Sequence, residues 1–82
     1  MKIVWDEIKR QANIDKHGLD FAMLDEAFFV DAVIRPVRLG RYSAIGRMED
    51  GTITVIFLRL GTEGFSVISM RPASRKERKE LQ

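Results

Sequence analysis

Arg71, Arg75, Lys76 and Arg78 crowd into one short stretch, Ser69-Met-Arg-Pro-Ala-Ser-Arg-Lys-Glu-Arg78. Arg71 ends a β-prone run, and Pro72 breaks pairing immediately after it. Ser74, with Glu77 three residues later, spells a capping box, in which serine bonds forward and glutamate bonds back. Arg75 and Lys76 then occupy the first turn of a helix, where the macrodipole disfavours cations by about 0.3–1 kcal/mol each. An anion held at that end would account for them. Backbone N–H groups at a helix start bind anions, and the guanidinium forks of Arg71 and Arg75 would complete a phosphate seat. The competing reading is a solvated arginine-rich helix, with Arg75 and Lys79 as ordinary i,i+4 neighbours. The capping box by itself accounts for Glu77.

His17 is the chain's single histidine, and Lys16 precedes it. An imidazole titrates near neutral pH and can serve as general acid or base, while Lys16 can meet a phosphate. Both residues equally suit the last turn of a helix, where cations are favoured. The residues alone leave these readings open.

The elements that must position these groups follow from local signals. Lys2–Trp5 is a short strand ended by Asp6, a good N-cap for a helix over Glu7–His17, and Gly18 supplies the left-handed residue that closes it. A second helix is expected from an Asp20 cap to about Asp31, with Leu19 and Leu24 as a hydrophobic staple. Ala32–Val37 is a weak strand, and Pro36 marks it as an edge or a strand end. Arg41–Met48 and Thr52–Leu60 flank Glu49-Asp50-Gly51, whose Asp-Gly pair signals a hairpin. Thr52–Leu60 is apolar on both sides and reads as a central strand covered on both faces. After the Gly61–Gly64 turn comes Phe65–Arg71, then the terminal helix. With the weak stretch left out, the order is β-α-α-β-β-β-α, an α+β domain with a mainly antiparallel sheet and the helix pair packed on one face. The first strand is expected to join that sheet, leaving its other face as a shallow working surface.

Bulk properties narrow the function classes. The chain has 82 residues, enough for one small domain spanning 1–82, and its 45% hydrophobic content excludes wholesale disorder. With no cysteine and one histidine, disulfides, thiolate zinc sites and multi-histidine metal sites are excluded. Nothing in the residues calls for a metal or cofactor. The start meets Asp6 before any apolar segment of signal-peptide length, and Ile53–Leu58 is far too short for a membrane span. The expectation is a cytoplasmic protein with no membrane contact. Charge is split: residues 1–31 carry four Lys/Arg against seven Asp/Glu, whereas residues 32–82 carry ten against five. That asymmetry points to an anionic partner for the second part, with chance clustering on a solvated surface as the bland alternative.

Four pieces in order resemble one family: Trp5-Asp6; Asn13-x-x-Lys16-His17-Gly18 followed by Phe21; the strand Tyr42-Ser-Ala-Ile-Gly46; and Ile68-Ser-Met-Arg-Pro-Ala-Ser74 running into Arg75-Lys-Glu-Arg78. The chain is similar to the BrnT-type ribonuclease toxins of bacterial toxin–antitoxin pairs, whose fold is RelE-like. Ser66 stands where that family usually carries Arg, and Met70 where a small residue is common.

The resemblance implies an endoribonuclease that uses no metal, cleaves RNA, and inhibits translation and growth. It implies a BrnA-like antitoxin partner with a ribbon-helix-helix DNA-binding part, so that DNA is contacted only through the antitoxin. Arg71, Arg75, His17 and Lys16 become the candidate catalytic set. Arg47, Arg59, Tyr42, Lys76 and Arg78 become candidate RNA contacts. In the 41–48 strand, Arg41, Ser43, Ile45 and Arg47 share one side and Tyr42, Ala44, Gly46 and Met48 the other. The first set is the expected RNA-facing side, although sequence cannot choose between faces. The alternative function is a non-catalytic RNA- or protein-binding domain of the same fold.

Overall fold

Asp6 opens the first helix in the computed structural model of the chain, which describes residues 1–49 and 51–81. Its carboxylate accepts the Ile8 amide at 2.8 Å, and Gly18, at φ 69°, closes α1 (Glu7–His17) by donating its N–H to Ile14 at 2.7 Å. The expected second helix is split in two. Asp20 caps only a 3-10 turn over Phe21–Met23, Leu24 is extended, and Asp25 caps α2 (Glu26–Asp31) by accepting the Phe28 amide. The break lets Phe21 and Leu24 enter the core from one side and Phe28 and Phe29 from another.

The sheet has five strands, β1 (Lys2–Trp5), β2 (Val33–Pro36), β3 (Arg41–Met48), β4 (Gly51–Leu60) and β5 (Gly64–Pro72), in the spatial order β1-β5-β4-β3-β2. The weak stretch is therefore a true strand missing from the expected order, and it lies at an edge with Pro36 as its last residue. There a missing N–H costs no ladder bond. β1 joins the other edge in parallel with β5, while the remaining pairs are antiparallel. Met48 pairs with Gly51 across the β3–β4 turn, where Asp50 of the expected hairpin signal lies outside the described residues.

One sheet face packs against α1, the 3-10 turn and α2. Ala44, Ile53, Val55, Phe57, Val67 and Met70 are buried there with Phe21 and Phe29. A Cβ at Gly46 would stand 2.8 Å from the Phe28 ring, so glycine is what admits that ring to the sheet. The opposite face carries α3 (Arg75–Lys79) at one end only. Ile45 and Thr54 are buried on that side, whereas Ile56 and Leu58 are half-buried and Leu60 is exposed. β4 is thus covered on both faces near Thr54 alone.

β1 is shorter than β5, and its last pair is Trp5 with Val67. Beyond that point β5 has no strand on its outer side, and a buried unpaired amide there would be costly. Asn13 of α1 takes the place of the missing strand. Its Oδ1 accepts the Met70 amide at 3.1 Å and its Nδ2 donates to the Leu19 carbonyl at 2.9 Å, both in a buried setting. This locks the second half of α1 beside the part of β5 that carries Arg71.

Candidate active site at the strand–helix junction

A β-bulge decides which way Arg71 points. Ile56 pairs with Ser69 but Phe57 pairs with Val67, so Ile68 is an extra residue in β5. Phe65 and Val67 face the helix pair, and strict alternation would send Ser69 and Arg71 after them. The inserted residue shifts the phase: Met70 turns into the core and Arg71 pairs with Thr54 on the α3 side. Re-aiming a side chain in this way is a known use of bulges.

Arg71 does not stand free on that face. Its Nη1 and Nη2 donate to Oε1 and Oε2 of Glu77 at 2.7 and 2.9 Å, a bidentate pair. Glu77 Oε1 also accepts from Thr54 Oγ1 at 3.0 Å and from the Ser74 amide at 2.9 Å. The capping box is complete, since Ser74 Oγ in turn accepts the Glu77 amide at 3.1 Å. The Arg71 guanidinium chiefly, helped by the Ser74 amide and Thr54 against the cost of burial, holds the Glu77 carboxyl at about 2, well below its ordinary 4.5. Glu77 is consequently an anchored acceptor and a poor proton acceptor near neutrality.

The depressed value sets a stability window. The pair contributes fully above pH 4.5 and loses its contribution as pH falls through about 2. A shift of that size corresponds to about 3 kcal/mol as an upper bound, which solvent screening of the part-exposed pair reduces to about 1–2 kcal/mol. Urea unfolding of wild type and of Glu77→Gln should differ by roughly that amount at pH 6, and the gap should close between pH 4.5 and 2. A gap that stayed constant over this range would show that the carboxylate's charge contributes nothing to folding.

The other groups gather around this pair to different degrees. Arg75, Lys76 and Lys79 are exposed on α3, and Arg78 Nη1 donates to the Ala73 carbonyl at 3.0 Å. Arg47, on the α3 face of β3, reaches over to donate to the Leu81 carbonyl at 3.2 Å. Arg35 of β2 pairs with Glu80 at 2.9 Å. Lys16 and His17 lie in the last turn of α1, exposed and half-buried respectively, and no hydrogen bond or ion pair among the described residues joins them to Arg71 or Arg75.

Arg59 and Tyr42 belong elsewhere. Their parity on β4 and β3 is that of Phe57 and Ala44, so they lie on the helix-pair face. Tyr42 stacks on Phe57 with ring centroids 5.8 Å apart, and the Arg59 guanidinium lies 6.0 Å from the Tyr42 ring centroid. The sheet separates them from Arg71, Arg75 and Arg47.

Sequence reasoning misses three contributors at this site. Thr54, Arg35 and the second role of Glu77 are set by register across strands that are distant in sequence. Only Thr54 left a trace, as the lone polar residue within the run Ile53–Leu58. The five-residue α3 also corrects the electrostatic argument for Arg75, because so short a helix sums few peptide dipoles. The positive charge of this junction comes from side-chain cations more than from the helix end.

An α+β domain with a cationic strand-to-helix junction on the α3 side of its sheet is what the geometry defines, with two carboxylates set among the junction's five Lys/Arg side chains. The family model of the ribonuclease toxin BrnT, of type II toxin–antitoxin systems, matches residues 5–77. The crystal structure of the Brucella abortus ribonuclease toxin BrnT is 54% identical in sequence and superposes with a TM-score of 0.84, over 92% of this chain and 99% of that one. No curated protein matches the chain. The chain belongs to the BrnT ribonuclease toxin family of type II toxin–antitoxin systems, and an antitoxin partner comes with that membership.

Proposed function

We propose that this protein is a cytoplasmic endoribonuclease toxin that cleaves RNA without a metal ion and thereby inhibits translation and growth. The supporting observation is the junction itself: Arg71 and Arg75 bracket Pro72–Ser74, with Lys76, Arg78 and Arg47 around them, in a chain whose family is one of ribonucleases. In metal-independent cleavage the neighbouring 2′-hydroxyl attacks the phosphorus and the 5′-oxygen leaves, giving a 2′,3′-cyclic phosphate. The crowded phosphorane carries extra negative charge, and fixed cations that meet it lower the barrier. Arg71 retains its Nε–H and one Nη2–H beyond the bonds to Glu77, so it can serve a phosphate without leaving its partner. Arg75 adds a second guanidinium. His17 is the residue proposed to move a proton, and Lys16 to meet an adjoining phosphate.

Arg47, Lys76 and Arg78 extend this surface for RNA. Tyr42 and Arg59 would contact only a strand that passed around the edge of the sheet. The partner is proposed to be a BrnA-like antitoxin whose ribbon-helix-helix part carries the DNA contacts. Acidic residues of that antitoxin would pair with the junction and cover it, favouring fast association. Hydrogen exchange of the complex is expected to show protection over residues 65–79, and protection confined to 7–30 would contradict direct occlusion.

The competing reading is a domain that binds RNA without cutting it, motivated by Ser66 at a position where the family usually carries Arg. Incubating the purified chain with end-labelled RNA separates the two. Fragments that grow with time support the toxin, whereas retention of intact RNA supports the binding domain.

A further inference from the structure

Glu77 sits where sequence reasoning assigns only a cap, yet its carboxylate has a second occupation that a cap does not require. We propose that Glu77 is a positioning residue for the reaction, the fixed platform that orients the Arg71 guanidinium for the scissile phosphate. The inference rests on the ribonuclease reading above.

Three observations carry it. First, Glu77 is anchored independently of Arg71. Its Oε1 accepts from Thr54 Oγ1 at 3.0 Å on β4 and from the Ser74 amide at 2.9 Å at the start of α3, so it would stay in place if Arg71 moved away. Second, Arg71 depends on Glu77. It donates both Nη atoms to that carboxylate at 2.7 and 2.9 Å, and its other contact is a 3.4 Å approach to the Pro72 carbonyl. A bidentate fork fixes the plane of the guanidinium as well as its place. Third, the fork consumes one edge of the group and leaves the Nε–H and an Nη2–H, with the side chain 39% exposed on the α3 face. The partner therefore holds the guanidinium while its free donors remain available. The bulge at Ile68 serves the same end, since it alone turns Arg71 toward Thr54 and Glu77.

A carboxylate this close also lowers the net charge that a phosphate would meet. Positioning and masking predict opposite outcomes. If Glu77 orients Arg71, removing its charge slows the chemical step with little effect on RNA binding, because misplacing a reacting group by about 1 Å costs on the order of 10²-fold. If it only masks Arg71, removing its charge strengthens binding and speeds cleavage.

The experiment compares wild type, Glu77→Gln, Arg71→Ala and the double variant by single-turnover cleavage of a labelled RNA oligonucleotide over a range of enzyme concentrations. Glu77→Gln keeps the length of the side chain and an oxygen for Ser74 and Thr54 but cannot form the fork with Arg71. Its maximal cleavage rate is expected to fall about ten- to a hundredfold, with half-saturation changed less than about threefold. In the Arg71→Ala background the same substitution should cause no further loss, as befits a group acting through Arg71. Thr54→Val, which removes one anchor and keeps the shape, should lower the rate about three- to tenfold and serves if Glu77→Gln does not fold. Wild-type rate in Glu77→Gln, or in Thr54→Val where that variant stands in for it, overturns the inference. Faster cleavage with tighter binding, or an equal loss in both backgrounds, overturns it as well. A wild-type protein that leaves RNA intact overturns the ribonuclease reading itself, and the inference falls with it.

Discussion

Arg71→Ala is expected to lower RNA cleavage by roughly 10²–10³, the usual loss when one fixed donor to a developing anion is removed. The substitution removes the guanidinium that the bulge, Thr54 and Glu77 together hold on the α3 side of the sheet. Stability should fall only slightly, by about 1 kcal/mol, because the Arg71 side chain is 39% exposed and the ion pair is partly screened by solvent. Glu77 would keep its bonds from Thr54 and Ser74. Arg71→Lys should recover little activity, since an ammonium restores the charge but not the planar fork that meets both oxygens of Glu77. Cleavage rate and thermal midpoint measured on the same samples check this. A folded Arg71→Ala variant that cut at the wild-type rate would remove Arg71 from the chemistry.

Asn13→Ala carries the largest expected effect on folding. It strands two buried groups, the Met70 amide and the Leu19 carbonyl, each of which costs about 1–3 kcal/mol when left without a partner. A combined loss of about 2–4 kcal/mol is expected, which in a domain of this size lowers the thermal midpoint by about 10 °C or more. Asn13→Asp is the informative companion. A carboxylate can still accept the Met70 amide, but it sets a buried negative charge against the Leu19 carbonyl oxygen, so at neutral pH its loss should be at least as large. An Asn13→Ala midpoint within a degree or two of wild type would mean that water replaces the side chain. α1 would then not be fixed to β5 in the way described.

The elements bounded by strong local chemistry were readable from the sequence. Asp6 and Gly18 bound α1, and Ser74 with Glu77 start α3, because caps act within one turn and need no tertiary partner. The α+β class and the helix pair on one face followed from hydrophobic patterning. The second helix was misread because Asp20 is a valid cap for a 3-10 turn as well as for an α-helix. The core then recruits Leu24 in an extended conformation to place the phenylalanines. β2 was undervalued because its stability comes from pairing with β3 rather than from its own four residues.

The site was legible in part for a similar reason. The cluster Arg71, Arg75, Lys76 and Arg78 is contiguous in sequence, so its charge was visible at once. The side on which Arg59 lies was not legible, because a strand's parity is known only once one neighbour is fixed in the core. The face of Arg71 depends on a bulge at Ile68, whose one mark in the sequence is the doubled apolar pair Val67-Ile68 that shifts the phase of an otherwise alternating strand. Glu77 was half understood: the cap is local, whereas the bonds to Arg71 and Thr54 need the sheet and the helix brought together.

The cations of the β5–α3 junction are proposed to cleave RNA without a metal ion. The most direct test of this is to incubate purified protein with 5′-labelled RNA in excess EDTA and analyse the new ends. Continued cleavage is expected, with 2′,3′-cyclic phosphate on the upstream fragment and a free 5′-hydroxyl on the downstream one. RNA that stayed intact in EDTA and was cut once Mg²⁺ was restored, leaving 5′-phosphate ends, would contradict it.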